Sequence, residues 1–270
     1  MQKSKLWIGT SWKMNKTLAE AREYADTVAA AVEDDAGLTR SVEAFVIPSH
    51  TAIATVAERL GRWANTVGGF RVGAQNAHWQ DSGAWTGEVS MPQIKDAGAT
   101  MVEIGHSERR THFHETVETT RFKVESALRH GLVPLLCIGE PAETRDRGHT
   151  CSYILAQARG ALAGLQRQEL AQVLIAYEPR WAIGALGRPA RGEELAGPFA
   201  ALRSEYGGVV AGLLYGGSVT LDNMPDLLAL EDVDGLFVGR AAWHAEDFVE
   251  LLRAGSRWCA GTGERQGRRV

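Results

Sequence analysis

Eight short apolar runs, which do not alternate with polar residues, constrain the fold of this chain most strongly. They are rich in Val, Ile, Leu and Ala, and strands with this pattern are typically buried on both faces, as in a parallel sheet covered by helices. The runs span residues 6–12, 44–47, 70–74, 101–104, 132–138, 173–177, 209–215 and 236–238.

Segments with helical spacing lie between most of these runs. The first begins at Thr17, which is spaced to form a capping box with Glu20. Its apolar positions share one helix face: Ala21, Ala25, Val28, Ala29 and Val32. The other segments span residues 51–62, 92–97, 116–130, 150–163, 192–205 and 244–254.

Eight strand-then-helix units are the number that closes a (β/α)₈ barrel of roughly 250 residues. No linker or change of composition divides the 270 residues. We therefore expect an α/β protein with one barrel domain over residues 1–260. The Gly-rich, basic stretch 261–270 is expected to be a flexible tail.

Composition excludes several classes of protein. There are 29 Lys and Arg against 33 Asp and Glu, a net charge of −4, which argues against nucleic acid as the main partner. No apolar stretch is long enough to cross a membrane or resembles a signal peptide. Cys137, Cys151 and Cys259 are too few and scattered for a disulfide framework or a zinc site. A cytoplasmic protein is expected.

Polar residues directly after the apolar runs predict an active site, because barrels of this kind build it at the carboxyl ends of their strands. Lys13 follows the first run, His106 the fourth and Glu178 the sixth. Lys13 would supply a cation for an anionic substrate. Glu178, next to apolar residues, would have a raised pKa and act as a base near neutral pH. His106, at the start of a helix, would stay neutral and polarise a carbonyl.

Each of these residues also has a plainer interpretation. Lys13 could be a surface lysine, Glu178 an ion-paired carboxylate at a helix start, and His106 a structural histidine. Their equivalent positions on three different strands favour the catalytic interpretation.

Two glycine-containing turns, at residues 215–218 and 237–240, follow the last two runs. Backbone N–H groups in such turns can face an anion, and barrels often bind phosphate after strands seven and eight. Loop geometry alone could also require these glycines. Their occurrence after adjacent strands favours a phosphate site.

Seven motifs in this order resemble those of triosephosphate isomerase and cover the chain from residue 7 to about residue 243. They are W-K-M-N (12–15), A-Q-N (74–76), T-G-E (86–88), G-H-S-E-R-R (105–110), C-I-G-E (137–140), Y-E-P-x-W-A-I-G (177–184) and Y-G-G-S-V (215–219). The resemblance implies a single (β/α)₈ TIM barrel.

The resemblance also implies roles for individual residues. Glu178 would shuttle a proton between adjacent substrate carbons, while His106 would be the neutral electrophile and Lys13 the cation for substrate and enediolate. Residues 179–187 would form a flexible lid. The residues implied for substrate and phosphate binding are Ser11, Lys13, Gly184, Ser218, Gly239 and Arg240, with Glu108 and Asn76 as support.

The family is usually a homodimer, in which the loop bearing Thr86 reaches into the partner's site near Lys13. Its substrate is a small phosphorylated sugar, and no metal or organic cofactor is implied. The family default is the interconversion of dihydroxyacetone phosphate and glyceraldehyde 3-phosphate, in glycolysis and gluconeogenesis.

Three departures from the family pattern bear on the substrate. Ser11 stands where the family has Asn, residues 185–189 replace the lid hinge T-G-K-T-A, and Arg240 follows Gly239 in place of a second glycine. The Arg240 side chain could point away, so that only its N–H serves, or its guanidinium could add charge to the site.

A roomier site with an extra cation would suit a longer substrate. The stretches S-W-K-M-N-K-T-L-A-E-A, G-A-W-T-G-E and G-L-F-V-G-R-A-A-W look like a branch of the family assigned to L-erythrulose-1-phosphate isomerisation. The alternative reaction is L-erythrulose 1-phosphate to D-erythrulose 4-phosphate. Triose and tetrulose stay open here, because both need the same Lys, His and Glu.

Two hypotheses from other classes compete with an isomerase. One is a Schiff-base aldolase with Lys13 as nucleophile. The other is an inactive barrel that only binds phosphorylated ligands, suggested by Ser11 and Arg240.

Overall fold

Eight parallel strands close into a barrel, as the apolar runs predict. The structure, a computed structural model, describes residues 6–35, 37–63, 69–184 and 187–267, the last six by their backbone only. Neighbouring strands pair in sequence order, and the eighth pairs with the first. The strands are β1 (Leu6–Ser11), β2 (Val42–Ile47), β3 (Phe70–Ala74), β4 (Met101–Ile104), β5 (Val133–Ile138), β6 (Leu174–Tyr177), β7 (Gly212–Tyr215) and β8 (Gly235–Val238).

Helices follow the strands on the outside of the barrel. They are α1 (Leu18–Asp34), α2 (Ile53–Leu60), α3 (Met91–Asp96), α4 (Ser107–His112), α5 (Val117–Arg129), α6 (Ala142–Asp146), α7 (Thr150–Ala161), α8 (Arg167–Leu170), α9 (Gly192–Tyr206), α10 (Met224–Leu228) and α11 (Ala245–Gly267). Helix α4 begins directly after His106, as predicted, whereas the short helices α6, α8 and α10 were not predicted. They are too short to show a helical period.

The first helix forms as its sequence predicts. The Thr17 N–H donates to Glu20 Oε2 at 2.6 Å, and the Glu20 N–H donates to Thr17 Oγ1 at 3.4 Å, so the capping box is complete. The five apolar positions named above are all buried, and this face anchors α1 to the barrel wall.

The apolar core has two layers, which explains why the strand residues do not alternate. Side chains such as Val46, Val72 and Ile175 pack between the strands and the helices. Others, such as Phe45 and Leu135, fill the inside of the barrel. Every strand therefore buries both faces, and polar side chains at the carboxyl ends of the strands converge on one mouth.

The C-terminal segment is helical for most of its length. The helix α11 runs to Gly267 and so includes the backbone of residues 261–267, which belong to the predicted tail. Extending an existing helix needs no new nucleus. Residues 268–270 lie outside the described part of the chain, and the mobility of the segment stays a prediction. Among the described residues, no helix is long and apolar enough to cross a membrane.

Candidate active site

A cavity of about 650 Å³ opens at the carboxyl ends of the strands. Its volume is in the range of small-molecule sites. Nine residues predicted for the site line it: Ser11, Lys13, His106, Glu108, Glu178, Gly184, Ser218, Gly239 and Arg240. The structure thus brings together residues that lie more than 220 positions apart in sequence.

Both the backbone conformation of Lys13 and an ion pair of its side chain fix its position at the cavity. Its φ of 55° turns the chain sharply after β1, and the Gln75 side-chain amide donates to the Lys13 carbonyl at 2.8 Å. Lys13 Nζ lies 2.5 Å from Glu108 Oε1. Burial opposes the charge, but this contact outweighs it and raises the pKa of Lys13. Lys13 is therefore a permanent cation at neutral pH.

His106 caps helix α4, and the hydrogen bond that its ring accepts there shows which ring nitrogen can donate. The Glu108 backbone N–H donates to His106 Nδ1 at 3.2 Å, so Nδ1 is the acceptor and Nε2 carries the proton that can be donated. Burial first, and then the positive charge of Lys13, lowers the pKa of His106 to about 4. The ring stays neutral, although burial rather than the helix terminus is the main cause.

Glu178 follows β6 and lies on the same side of the cavity as His106. Its Oε1 is 3.8 Å from His106 Nε2, so one small ligand can contact both groups. Burial, followed by the charge of Glu103, raises the pKa of Glu178 to about 8, against the opposing charge of Lys13. Its Oε2 is buried and makes no hydrogen bond. A carboxylate poised near neutral pH and without a competing partner can act as a base.

Three residues that shape this site were missing from the sequence-based predictions of its members. Gln75 holds the Lys13 backbone, and the buried thiol of Cys137 lowers the pKa of Glu178. Glu103 lies on β4, is 3% exposed, and has its pKa raised to about 7, mainly by burial. The signal for Glu103 was a lone acidic residue inside the apolar run 101–104.

The opposite end of the cavity carries the predicted phosphate-binding groups. Ser218 Oγ donates to the Ala182 carbonyl at 2.9 Å, which ties the turn after β7 to the predicted lid. Gly184 has a φ of 80°. Arg240 is exposed, and its Nη2 donates to the Gly184 carbonyl at 3.3 Å. Of the two orientations considered for Arg240, the guanidinium therefore lies at the cavity rather than away from it.

The predicted lid hinge at residues 185–189 is described only in part. Ala185 and Leu186 lie outside the described residues. Arg188 Nη2 lies 2.5 Å from Glu194 Oε1, and its guanidinium sits 4.6 Å from the centre of the Trp181 ring. The lid itself stays a prediction.

Two predicted site residues do not line the cavity. Asn76 is buried beside it, where its side-chain oxygen accepts from Lys123 Nζ at 2.7 Å and its carbonyl contacts His50 Nε2 at 2.6 Å. Lys123 is itself buried against Glu115 and holds the Asn76 amide oxygen, and the supporting role of Asn76 stays a prediction. Thr86 is exposed and is not among the residues that line the cavity, and its predicted place in a dimer loop stays a prediction.

Comparison with known proteins places this geometry in a family. A family model described as triosephosphate isomerase matches residues 6–255. A protein of Mycolicibacterium smegmatis named L-erythrulose-1-phosphate isomerase is 59% identical over 251 residues, 92% of each chain. One of Brucella abortus with the same name is 48% identical over 253 residues, 92% of this chain and 96% of the relative.

A solved structure agrees with the fold. The crystal structure of triosephosphate isomerase from Bartonella henselae has a TM-score of 0.78 and 32% sequence identity, and the match covers 93% of this chain and 98% of that one.

Proposed function

The chain belongs to the triosephosphate isomerase family, and is an isomerase; within that family we propose that it interconverts L-erythrulose 1-phosphate and D-erythrulose 4-phosphate. The main observation in support of this substrate is the 59% identity to a relative named L-erythrulose-1-phosphate isomerase. The geometry of the cavity supports it, because Ser11, a short side chain, borders the reacting end where a larger substrate needs room.

Glu178 acts as the base in the proposed reaction. Its carboxylate takes the proton from the substrate carbon next to the carbonyl carbon. The C–H electron pair becomes a carbon–carbon double bond, and the carbonyl π pair moves to oxygen to give an enediolate. After proton movement between the two oxygens, Glu178 returns its proton to the former carbonyl carbon. The carbonyl has then moved by one position, with no net gain or loss of electrons.

His106 and Lys13 stabilise the negative charge that develops on the substrate oxygens. His106 donates from Nε2, since Nδ1 already accepts the Glu108 N–H. Lys13 supplies a positive charge that its contact with Glu108 maintains. Preorganised donors of this kind often contribute the largest share of catalysis. The raised pKa of Lys13 also disfavours the Schiff-base alternative, which needs a neutral amine.

The phosphate binds at the other end of the cavity. Ser218 and Gly239 lie on the turns after β7 and β8, and Gly184 lies on the segment facing them. Arg240 adds a guanidinium at the rim, where it faces the phosphate without blocking the reacting end. A triose and a tetrulose phosphate share this end, so the choice between them falls to the residues near Ser11.

The chain is also proposed to act as a homodimer in the cytoplasm. Large apolar side chains are exposed in the segments that follow β1, β3 and β4: Met14 at 98%, Trp85 at 45% and Phe113 at 64%. Covering them with a second copy would remove apolar surface from water and bring the loop of Thr86 to the partner's cavity. The free, buried thiol of Cys137 fits a reducing compartment.

Steady-state rates on the two ketose phosphates test the proposed substrate. The purified chain should show a higher kcat/KM for L-erythrulose 1-phosphate than for dihydroxyacetone phosphate. A matched Glu178→Gln preparation should be inactive on both, which controls for contaminating isomerase. A higher kcat/KM for dihydroxyacetone phosphate would instead support the interconversion of dihydroxyacetone phosphate and glyceraldehyde 3-phosphate. Binding of phosphate analogues without turnover would favour the inactive barrel.

A further inference from the structure

The indole of Trp243 lies in the wall of the cavity, and catalysis as derived above does not use it. Trp243 follows the turn of residues 240–242, which comes shortly after the end of β8. Its side chain lines the cavity and packs, half-buried, against the apolar core. The N–H of a tryptophan in such a place usually has a hydrogen-bond partner, and that partner indicates what Trp243 contributes.

The indole N–H binds the backbone at the end of β1. Trp243 Nε1 donates to the Ser11 carbonyl at 3.1 Å. The register of β1 with β8 ends at Thr10 and Val238, one residue before Ser11. The indole therefore continues the pairing of these two strands at the mouth of the barrel, beyond the point where the ladder ends.

The two carbonyls that follow Ser11 are held in the same way. Asn15 Nδ2 donates to the Trp12 carbonyl at 2.7 Å, and Gln75 Nε2 donates to the Lys13 carbonyl at 2.8 Å. Three consecutive carbonyls of the segment Ser11–Lys13, called the lysine segment below, thus each accept a side-chain donor.

The backbone of the lysine segment needs this support. Lys13 has a φ of 55°, a left-handed conformation that residues other than glycine rarely adopt. Such a conformation persists only where the surrounding structure enforces it. The three donors therefore fix a backbone that would otherwise relax, and with it the origin of the catalytic lysine side chain.

Trp243 differs from the other two donors because it adjoins the turn after β8, which carries predicted phosphate-binding residues. Tyr24 of α1 anchors this turn, since its hydroxyl donates to the Ala242 carbonyl at 2.9 Å. The Tyr24 ring also contacts the Trp12 ring edge-on, with 4.8 Å between their centres. The turn is thus fixed independently of the indole hydrogen bond, and Trp243 is a preorganised donor to the lysine segment.

We propose that Trp243 is a positioning residue, which holds the lysine segment at a fixed distance from the phosphate-binding turn after β8. This inference rests on the proposed function. A substrate bound by its phosphate at that turn must present its reacting oxygens to Lys13 at the other end. Since Lys13 stabilises charge that develops in the transition state, an error in this distance lowers kcat more than it weakens binding.

The test is Trp243→Phe, which removes the N–H and keeps an aromatic ring. On whichever of the two ketose phosphates the wild type converts, kcat and kcat/KM should fall together by about three- to tenfold, the range for one hydrogen bond. KM should stay within about twofold of the wild type, because the lost interaction acts in the transition state. A thermal melt shows that the variant is folded at the assay temperature. If Trp243→Phe does not fold, Trp243→Leu takes its place.

Two further variants separate positioning from packing of the turn. Arg240→Ala changes the same turn and should raise KM with a smaller change in kcat, the reverse of the result expected for Trp243→Phe. Trp7→Phe is the matched control, because Trp7 lies on the same strand as Ser11 but near its amino end, where it packs against Phe45 with 6.3 Å between ring centres. Its kcat and KM should equal those of the wild type.

The outcomes distinguish this inference from the proposed function. A wild-type enzyme that converts a ketose phosphate, with a Trp243→Phe variant whose kcat lies within about twofold of it, would overturn the inference alone, since even a weak hydrogen bond is worth that much. A rise in KM of the Trp243→Phe variant beyond that range, with or without a loss of kcat, would also overturn it, because the indole would then act by packing the phosphate-binding turn. An equal loss of kcat in Trp7→Phe would do the same. A wild-type chain that converts neither ketose phosphate would overturn the proposed function and the inference with it.

Discussion

Replacing Gly216 by alanine should displace the proposed base without touching it chemically. Gly216 lies in the turn after β7, and its φ is not in the left-handed region, so the backbone can accept a side chain. A methyl group at this position would lie 2.6 Å from Glu178 Cγ and 2.9 Å from Glu178 Oε1. Carbon atoms in ordinary contact are about 3.5–4.0 Å apart. The Glu178 side chain must therefore retreat by about 1 Å.

A displacement of that size has a calculable effect on rate. Misplacing a reacting group by about 1 Å costs about 10²-fold, so kcat/KM of Gly216→Ala should fall about 100-fold on every substrate that the wild type converts. Overpacking should cost about 1–3 kcal/mol of stability, which leaves the protein folded at 25 °C. Initial rates and a thermal melt measure the two effects separately.

The matched control is Gly197→Ala. Gly197 lies inside α9, and a methyl group there meets no atom within 4 Å. Alanine should raise Tm slightly, because it is the better helix former by about 1 kcal/mol, and kcat/KM should not change. A folded Gly216→Ala variant whose kcat/KM stays within threefold of the wild type would refute the reasoning that the position of Glu178 limits the rate.

Three further predictions concern stability, phosphate binding and assembly. The pKa of Glu103 is about 7 in the folded protein, against an ordinary value of 4.5. The contribution of Glu103 to the free energy of unfolding is therefore complete below pH 4.5, where the carboxyl group is protonated. It is lost as the pH rises through 7, a change of about 3 kcal/mol. In thermal melts between pH 5 and pH 8, the Tm of Glu103→Leu should rise relative to that of the wild type as the pH rises. A difference in Tm that does not change with pH would contradict this. Arg240→Ala should raise KM about two- to fivefold with a smaller change in kcat, the size expected for an exposed cation; an unchanged KM would remove Arg240 from substrate binding. Thr86→Arg should sediment as a monomer with reduced kcat/KM, and a dimeric Thr86→Arg variant would place the interface elsewhere.

Much of the fold could be predicted because its signals are local. Runs buried on both faces and the capping box at Thr17 identified the strands, the first helix and the closed barrel. The errors lie at boundaries. Strand β7 begins at Gly212, three residues after the start of its apolar run, because the N–H groups of Val209 and Val210 bond back to Tyr206 at the end of α9. Apolar composition alone does not distinguish such a turn from a strand.

Site residues could be predicted where a polar or charged residue directly follows a strand. Contacts that cross the barrel could not be predicted in this way. Lys13, His106 and Glu178 could be placed at the mouth from their positions after β1, β4 and β6. The ion pair of Lys13 with Glu108 joins segments that follow β1 and β4, strands that are not adjacent, and no local pattern reports it. Asn76, predicted as a supporting residue, binds Lys123 through its side-chain oxygen, a partner that its position after β3 does not indicate.

Exchange of substrate hydrogen with solvent tests the central claim most directly, namely that Glu178 removes a proton from carbon. Proton NMR in D₂O should show the wild-type protein incorporating deuterium into L-erythrulose 1-phosphate at the carbon next to the carbonyl. Glu178→Gln, folded and with an intact cavity, should incorporate none above the uncatalysed rate. Deuterium incorporation by Glu178→Gln at the wild-type rate would contradict the account.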